Sequence, residues 1–219
     1  MVISRHRYAK AISMLCLSLM TQLAQAQTRP DWDLSVEAMA SPAGSKPGFF
    51  FSGQVSGIRQ SGIAIRASTD LLVVGPAHLR YTAQLMPAIV LSHVEQYELL
   101  ESPGRSIYVL TGTGSTYGIG LSPIGLQVAI DLASRVRAQF GAGAGFAVFT
   151  QHIPSAAGAR RNFSAEWDAA LQVAAGRERW IQLGLRWKHI SNGFTAYENP
   201  GVDNRMIVVG YSTRIGRRR

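Results

Sequence analysis

The chain has 219 residues, 47% of them hydrophobic, and its 22 Lys and Arg outnumber 13 Asp and Glu to give a formal charge of +9. Its single cysteine, Cys16, lies in what reads as a cleavable leader. The mature chain is then expected to carry no thiol, which excludes disulfides, cysteine-ligated zinc and cysteine nucleophiles.

Residues 1–26 have the form of a secretory signal. Arg5, Arg7 and Lys10 precede a short apolar run from Ala11 to Leu23, and Ala24-Gln25-Ala26 has the small-x-small form of a cleavage site. The run is shorter than the ~20 residues of a spanning helix. Leu15 before Cys16 is too large for a lipoprotein signal. Removing 26 of the 219 residues leaves 193 as one domain, 27–219, and takes three cations with it, so the charge falls from +9 to +6. A cationic surplus suits nucleic acid or an anionic lipid surface. Export disfavours nucleic acid. Arg160-Arg161 and Arg217-Arg218-Arg219 are local basic sites.

No later stretch is apolar enough for a membrane helix, and the apolar residues come mostly in alternation. Eight strands are expected, near 32–41, 58–69, 77–92, 117–130, 134–150, 162–175, 179–191 and 204–215. The parity slip at Ser122-Pro123 predicts a bulge, because proline cannot donate to a ladder. In the fifth strand Val136, Ala138, Phe140, Ala142, Ala144, Phe146 and Val148 share one face. Arg137, Gln139, Gly141, Gly143 and Gly145 share the other, as the narrow lumen of a small barrel requires. The sixth strand sets Phe163, Ala165, Trp167, Ala169, Leu171 and Val173 against Ser164, Glu166, Asp168, Ala170 and Gln172. That alternation runs for about the ten residues a membrane strand needs. Asp131–Ser134 and Ala175–Glu178 read as tight turns, and 93–116, 151–161 and 192–203 as long outer loops. The expected fold is all-β, an eight-stranded antiparallel transmembrane β-barrel of the bacterial outer membrane.

The seventh strand carries the chemistry. Ile181, Leu183, Leu185 and Trp187 form its lipid-directed face, and His189 and Ser191 continue that parity to its outer end. Gln182, Arg186 and Lys188 face the lumen. Polar groups on a lipid face are unfavourable unless they pair. In the eighth strand Asp203 has the parity of Ile207, Val209 and Tyr211, so it can approach His189 across the ladder. A serine nucleophile, a histidine base and an orienting carboxylate are what an ester hydrolase needs, with donors for the oxyanion. The loop 192–201 offers two asparagine amides, and glycines that allow close backbone approach.

His189-Ile190-Ser191-Asn192, then Asn199-Pro200-Gly201, then an acid at 203, resembles the PagL family of lipid A 3-O-deacylases. The resemblance is specific over 179–215 and architectural elsewhere. It implies an eight-stranded outer-membrane esterase that hydrolyses the 3-linked acyl ester of lipid A in lipopolysaccharide. Ser191 would be the nucleophile, His189 the general base and Asn199 the oxyanion donor. The family's catalytic glutamate falls on Asp203, one methylene shorter, with Glu198 as the competing acid. Gly193-Phe194 stands where the family commonly has alanine and glycine. The acyl chain is expected along the wall near Trp187 or Tyr211. The partners implied are lipopolysaccharide and the outer membrane, and such a barrel is compatible with a homodimer. No metal-ligand cluster is apparent and no cofactor is implied. The alternatives are an outer-membrane phospholipase, a class that is twelve-stranded and calcium-dependent, and a non-catalytic structural or adhesive barrel.

Overall fold

A computed structural model describes residues 31–46, 55–102 and 105–215. The leader expected over 1–26 and the basic Arg217–Arg219 lie outside them. Eight strands, β1 (Trp32–Ala40), β2 (Arg59–Val74), β3 (Ala77–Ser102), β4 (Arg105–Ala133), β5 (Val136–Ile153), β6 (Ala159–Ala174), β7 (Arg179–Ser191) and β8 (Val202–Ile215), pair antiparallel in chain order. β8 pairs back onto β1, from Trp32 opposite Ile215 to Ala40 opposite Ile207, and closes the barrel. Closure leaves no open edge in the ring of eight strands, which is what lets them cross a membrane with their backbone groups paired.

The outer wall is an apolar belt. Ile124, Leu126, Phe140, Leu171, Leu183 and Val209 are all exposed, Ile124 by 69% and Leu183 by 62%. In water such a surface would be unfavourable over its whole extent. In a bilayer it is the matching one, and the architecture is that of a transmembrane β-barrel.

The lumen is filled rather than open. At mid-height it holds ion pairs: Arg186 Nη2 with Glu37 Oε2 at 2.6 Å, Arg66 Nη2 with Asp168 Oδ2 at 2.6 Å, and Lys188 Nζ with Glu166 Oε2 at 2.8 Å. Gln84 joins them, accepting from Arg186 at 3.1 Å and donating to Glu166 at 3.0 Å. Three buried cations thus meet three buried carboxylates, which offsets the desolvation each would otherwise suffer. Towards the outer end the lumen turns apolar, with Ile58, Leu91, Val94, Phe149, Ile190 and Val202 in one buried cluster. This plug lies directly behind the outer ends of β7 and β8. Nearer the short turns His78 bridges Asp70 and Asp131, each at 3.3 Å.

The bulge expected at Ser122-Pro123 is present as a register shift between Leu121 and Ile124 against β5. Gly145 permits it, since a Cβ there would stand 2.1 Å from the Leu121 carbonyl oxygen. Three expectations need correction. β2 runs on to Val74 and β5 to Ile153, and β6 begins at Ala159, so the connection between β5 and β6 is short. The stretch 93–116 is not a loop. β3 and β4 continue through it, paired from Val94 opposite Gly114 to Ser102 opposite Arg105. Beyond Ser92 and before Gly118 they pair only with each other, so a two-stranded ribbon extends the β3–β4 ladder past the barrel's other strands. Cross-strand pairs such as Leu99 with Tyr108 and Tyr97 with Leu110 carry the ladder onward instead. Finally, β8 begins at Val202, two residues before the expected start.

Candidate active site

That earlier start of β8 matters for the site. β7 and β8 stay in register to their outer ends, with Arg186 opposite Met206, Trp187 opposite Arg205 and His189 opposite Asp203. Strand alternation turns His189 and Asp203 to the same lipid-facing side. Their side chains meet with Nδ1 and Oδ1 2.5 Å apart, both largely shielded from solvent. With Nδ1 held by the carboxylate, Nε2 is the ring nitrogen on the far side. Ser191 is the next residue of that parity, about 7 Å further along the strand. His189 and Ser191 line one groove together.

Glu198 takes a different place. Its carboxylate accepts the Ser155 hydroxyl at 3.3 Å and its N–H bonds the Ala157 carbonyl at 3.2 Å, which ties it to the connection between β5 and β6. Asn199 turns back towards the end of β7. Its Oδ1 accepts the Asn192 N–H at 2.8 Å, which leaves Nδ2 as the side chain's donor. The Asn192 amide in turn donates to the Glu198 carbonyl at 2.5 Å, and Thr195 Oγ donates to the Asn192 carbonyl at 2.7 Å. Gly193, Phe194 and Gly201 adopt positive φ, near +62° to +63°, and fold the loop back over the strand ends. Glycine meets that need without strain at 193 and 201, and Phe194 meets it at some cost.

The groove itself was not legible in the sequence. It has a volume of about 350 Å³ and runs across the outer wall from His189 and Ser191 to the β4 bulge at Pro123. Its floor is the rung that joins Ile124, Ala144, Ala165 and His189. The rung on one side carries Phe146 and Phe163, with ring centroids 5.4 Å apart. The rung on the other carries Trp167 and Trp187, stacked at 3.8 Å and 7°. Two alanines between aromatic ridges make a furrow that leads into the histidine and serine. Trp187 therefore borders the site. Tyr211 does not: it lies four outward positions below Asp203 on β8, about 27 Å away, opposite Ile181 near the short-turn end.

Fold and site together define a transmembrane β-barrel that groups a serine, a histidine and a carboxylate on its lipid-facing wall beside an apolar furrow. Residues 95–212, just over half of the chain, match the family model described as lipid A 3-O-deacylase (PagL). The chain belongs to that family. Among solved structures it is similar to the outer membrane enzyme PagL, at 16% identity and a TM-score of 0.49 over 83% of this chain and 99% of that one. It is similar also to Neisserial surface protein A, at 12% identity and 0.48 over 84% and 97%. A third is the outer membrane protein OprG from Pseudomonas aeruginosa, at 8% and 0.45 over 86% and 97%. No curated protein matches the sequence significantly.

Proposed function

We propose that the protein is a serine esterase of the outer membrane that hydrolyses the 3-linked hydroxyacyl ester of lipid A. The observation that carries this reading is the His189–Asp203 contact on the lipid-facing wall, opening with Ser191 into an apolar furrow. A carboxylate on Nδ1 fixes the imidazole tautomer and stabilises its protonated form, so that Nε2 can take a proton from Ser191 Oγ. The serine oxygen attacks the ester carbonyl. Asn199 Nδ2 donates to the oxyanion that develops, a contribution of about 10²–10³ in rate for one such donor. Collapse of the tetrahedral intermediate expels the sugar hydroxyl, which takes the proton back from His189. Water, deprotonated by the same histidine, then releases the acyl group from Ser191.

Asp203 serves as the acid of this triad, and Glu198 does not. The shorter side chain is compensated by the ladder, which sets the Asp203 Cα directly opposite that of His189. The position of the site explains how a membrane-bound substrate reaches it. Lipid A diffusing in the outer leaflet meets the wall sideways, and its acyl chain can lie in the furrow over Ala165 and Ala144 without leaving the membrane.

The test is hydrolysis of purified lipid A by the barrel folded in detergent. Wild type is expected to release the 3-linked hydroxy fatty acid and Ser191→Ala to release none. Equal release by both would refute the assignment. A phospholipase is separated by the same assay with phospholipid as substrate, which wild type is expected to leave intact.

A further inference from the structure

A second concavity lies on the outer side of the barrel rim. It has a volume of about 170 Å³ and is lined by Glu95, Tyr97 and Tyr108 from the β3–β4 ribbon, Gln151 and His152 from the end of β5, and Arg160 from the start of β6. The proposed reaction uses none of these groups. Tyr97 donates its hydroxyl to Glu95, a bond that pushes the phenol up to about 12 and keeps it protonated. Tyr108 is exposed by 56%. Gln151 is half-buried, and its Nε2 has no hydrogen-bond partner among the described residues.

The combination has a chemical meaning. Two tyrosines give flat apolar faces with a polar edge. A carboxylate, an amide, an imidazole and a guanidinium around them give acceptors and donors in several directions. Hydroxyl-rich rings, with apolar C–H faces and a rim of hydroxyls, match both features at once. A lipid tail would leave the polar groups unsatisfied, and an apolar peptide face would do the same.

The cleft is also placed to share a ligand with the furrow. β6 contributes Arg160 to one and Phe163, Ser164 and Ala165 to the other. Arg160 and Phe163 are three positions apart on the strand, about 10 Å at 3.3 Å per residue. The connection after β5 is tied to the loop over the site, by Ser155 to Glu198 and by Glu198 to Ala157. The wall of the cleft and the site loop are thus one unit.

We propose that this cleft is a saccharide subsite that holds sugars of the substrate's headgroup outside the membrane while its acyl chain occupies the furrow. The substrate is in that case lipopolysaccharide with its inner sugars attached, in preference to bare lipid A. The inference rests on the esterase reading for its link to the reaction, but the cleft's affinity for sugar can be measured without it.

Two measurements test it. The first compares the kinetics of wild type, Tyr108→Ala and Arg160→Gln on sugar-bearing lipopolysaccharide and on lipid A freed of sugars. Both variants are expected to raise KM about tenfold for the sugar-bearing substrate and to leave KM for lipid A and kcat for both unchanged. An equal effect on the two substrates, or none, overturns the proposal. The second titrates Ser191→Ala barrels with the oligosaccharide released from lipopolysaccharide by mild acid, which carries no ester. Saturable binding that Tyr108→Ala weakens at least tenfold supports the subsite, and no saturable binding overturns it. If wild type hydrolyses neither substrate, the esterase reading fails and this titration still decides the cleft. Should Tyr108→Ala not fold, Arg160→Gln and His152→Ala carry both measurements.

Discussion

His189 Nδ1 and Asp203 Oδ1 stand 2.5 Å apart across the β7–β8 ladder, although they are 14 positions apart in the chain. The contact is a product of register. A slip of one residue in this pair would turn one of the two side chains into the lumen. Asp203→Asn keeps the size and loses the charge, so the imidazole can settle in the wrong tautomer. Its kcat is expected to fall about 10³–10⁴-fold with KM nearly unchanged. Glu198→Gln, which alters a group facing Ser155, is expected to keep kcat within about twofold. Steady-state assays of the two variants side by side decide which acid serves, and a reversed pattern would assign the role to Glu198.

The furrow predicts a length-dependent defect. Ala165 lies between Ala144 and His189 on its floor, and the Ala165→Trp side chain would fill it. Activity on long-chain substrate is expected to drop at least tenfold, with a soluble short-chain ester still turned over. Equal losses on both esters would mean that the acyl chain lies elsewhere.

Stability is expected to depend most on the lumen pairs. Arg186 is fully buried and meets both Glu37 and Asp168. Arg186→Met leaves the buried cluster with one carboxylate more than its cations, at a cost of about 3–5 kcal/mol. The double change Arg186→Met with Glu37→Gln is expected to cost less than the single one. Urea unfolding in detergent, followed by tryptophan fluorescence, measures both, and a double variant less stable than Arg186→Met would contradict the charge-balance argument.

Gly193 is the loop position most sensitive to substitution. Its φ is +62°, and a Cβ there would stand 2.8 Å from the Phe163 ring. Gly193→Val combines strained backbone with a clash beside Ser191, so activity is expected to fall at least tenfold while the barrel keeps its thermal stability. A variant as active as wild type would show that the loop is free to rearrange.

The barrel was legible in the sequence because lipid on one side and a packed lumen on the other enforce period-two alternation, as in 136–148 and 163–173. The bulge at Pro123 was legible through the missing donor. The ribbon was not, because outside the membrane no alternation is imposed on residues such as Leu99-Leu100 or Ile107–Leu110. His189, Ser191 and Asp203 could be placed on one face by parity alone. The furrow could not, because it depends on which rung of β4 and β5 meets Ala165, and that register is set by the bulge and by Gly145. Tyr211 shares the parity of Asp203, yet parity says nothing about distance along the strand, and it lies at the far end.

The central claim is that Ser191 on the lipid-facing wall removes one acyl chain from lipid A. Mass spectrometry of lipid A from bacteria expressing wild type or Ser191→Ala tests it most directly. The account predicts loss of one 3-linked hydroxyacyl chain with wild type and intact lipid A with Ser191→Ala, both proteins folded in the outer membrane. The same loss with Ser191→Ala, or intact lipid A with folded wild type, would contradict it.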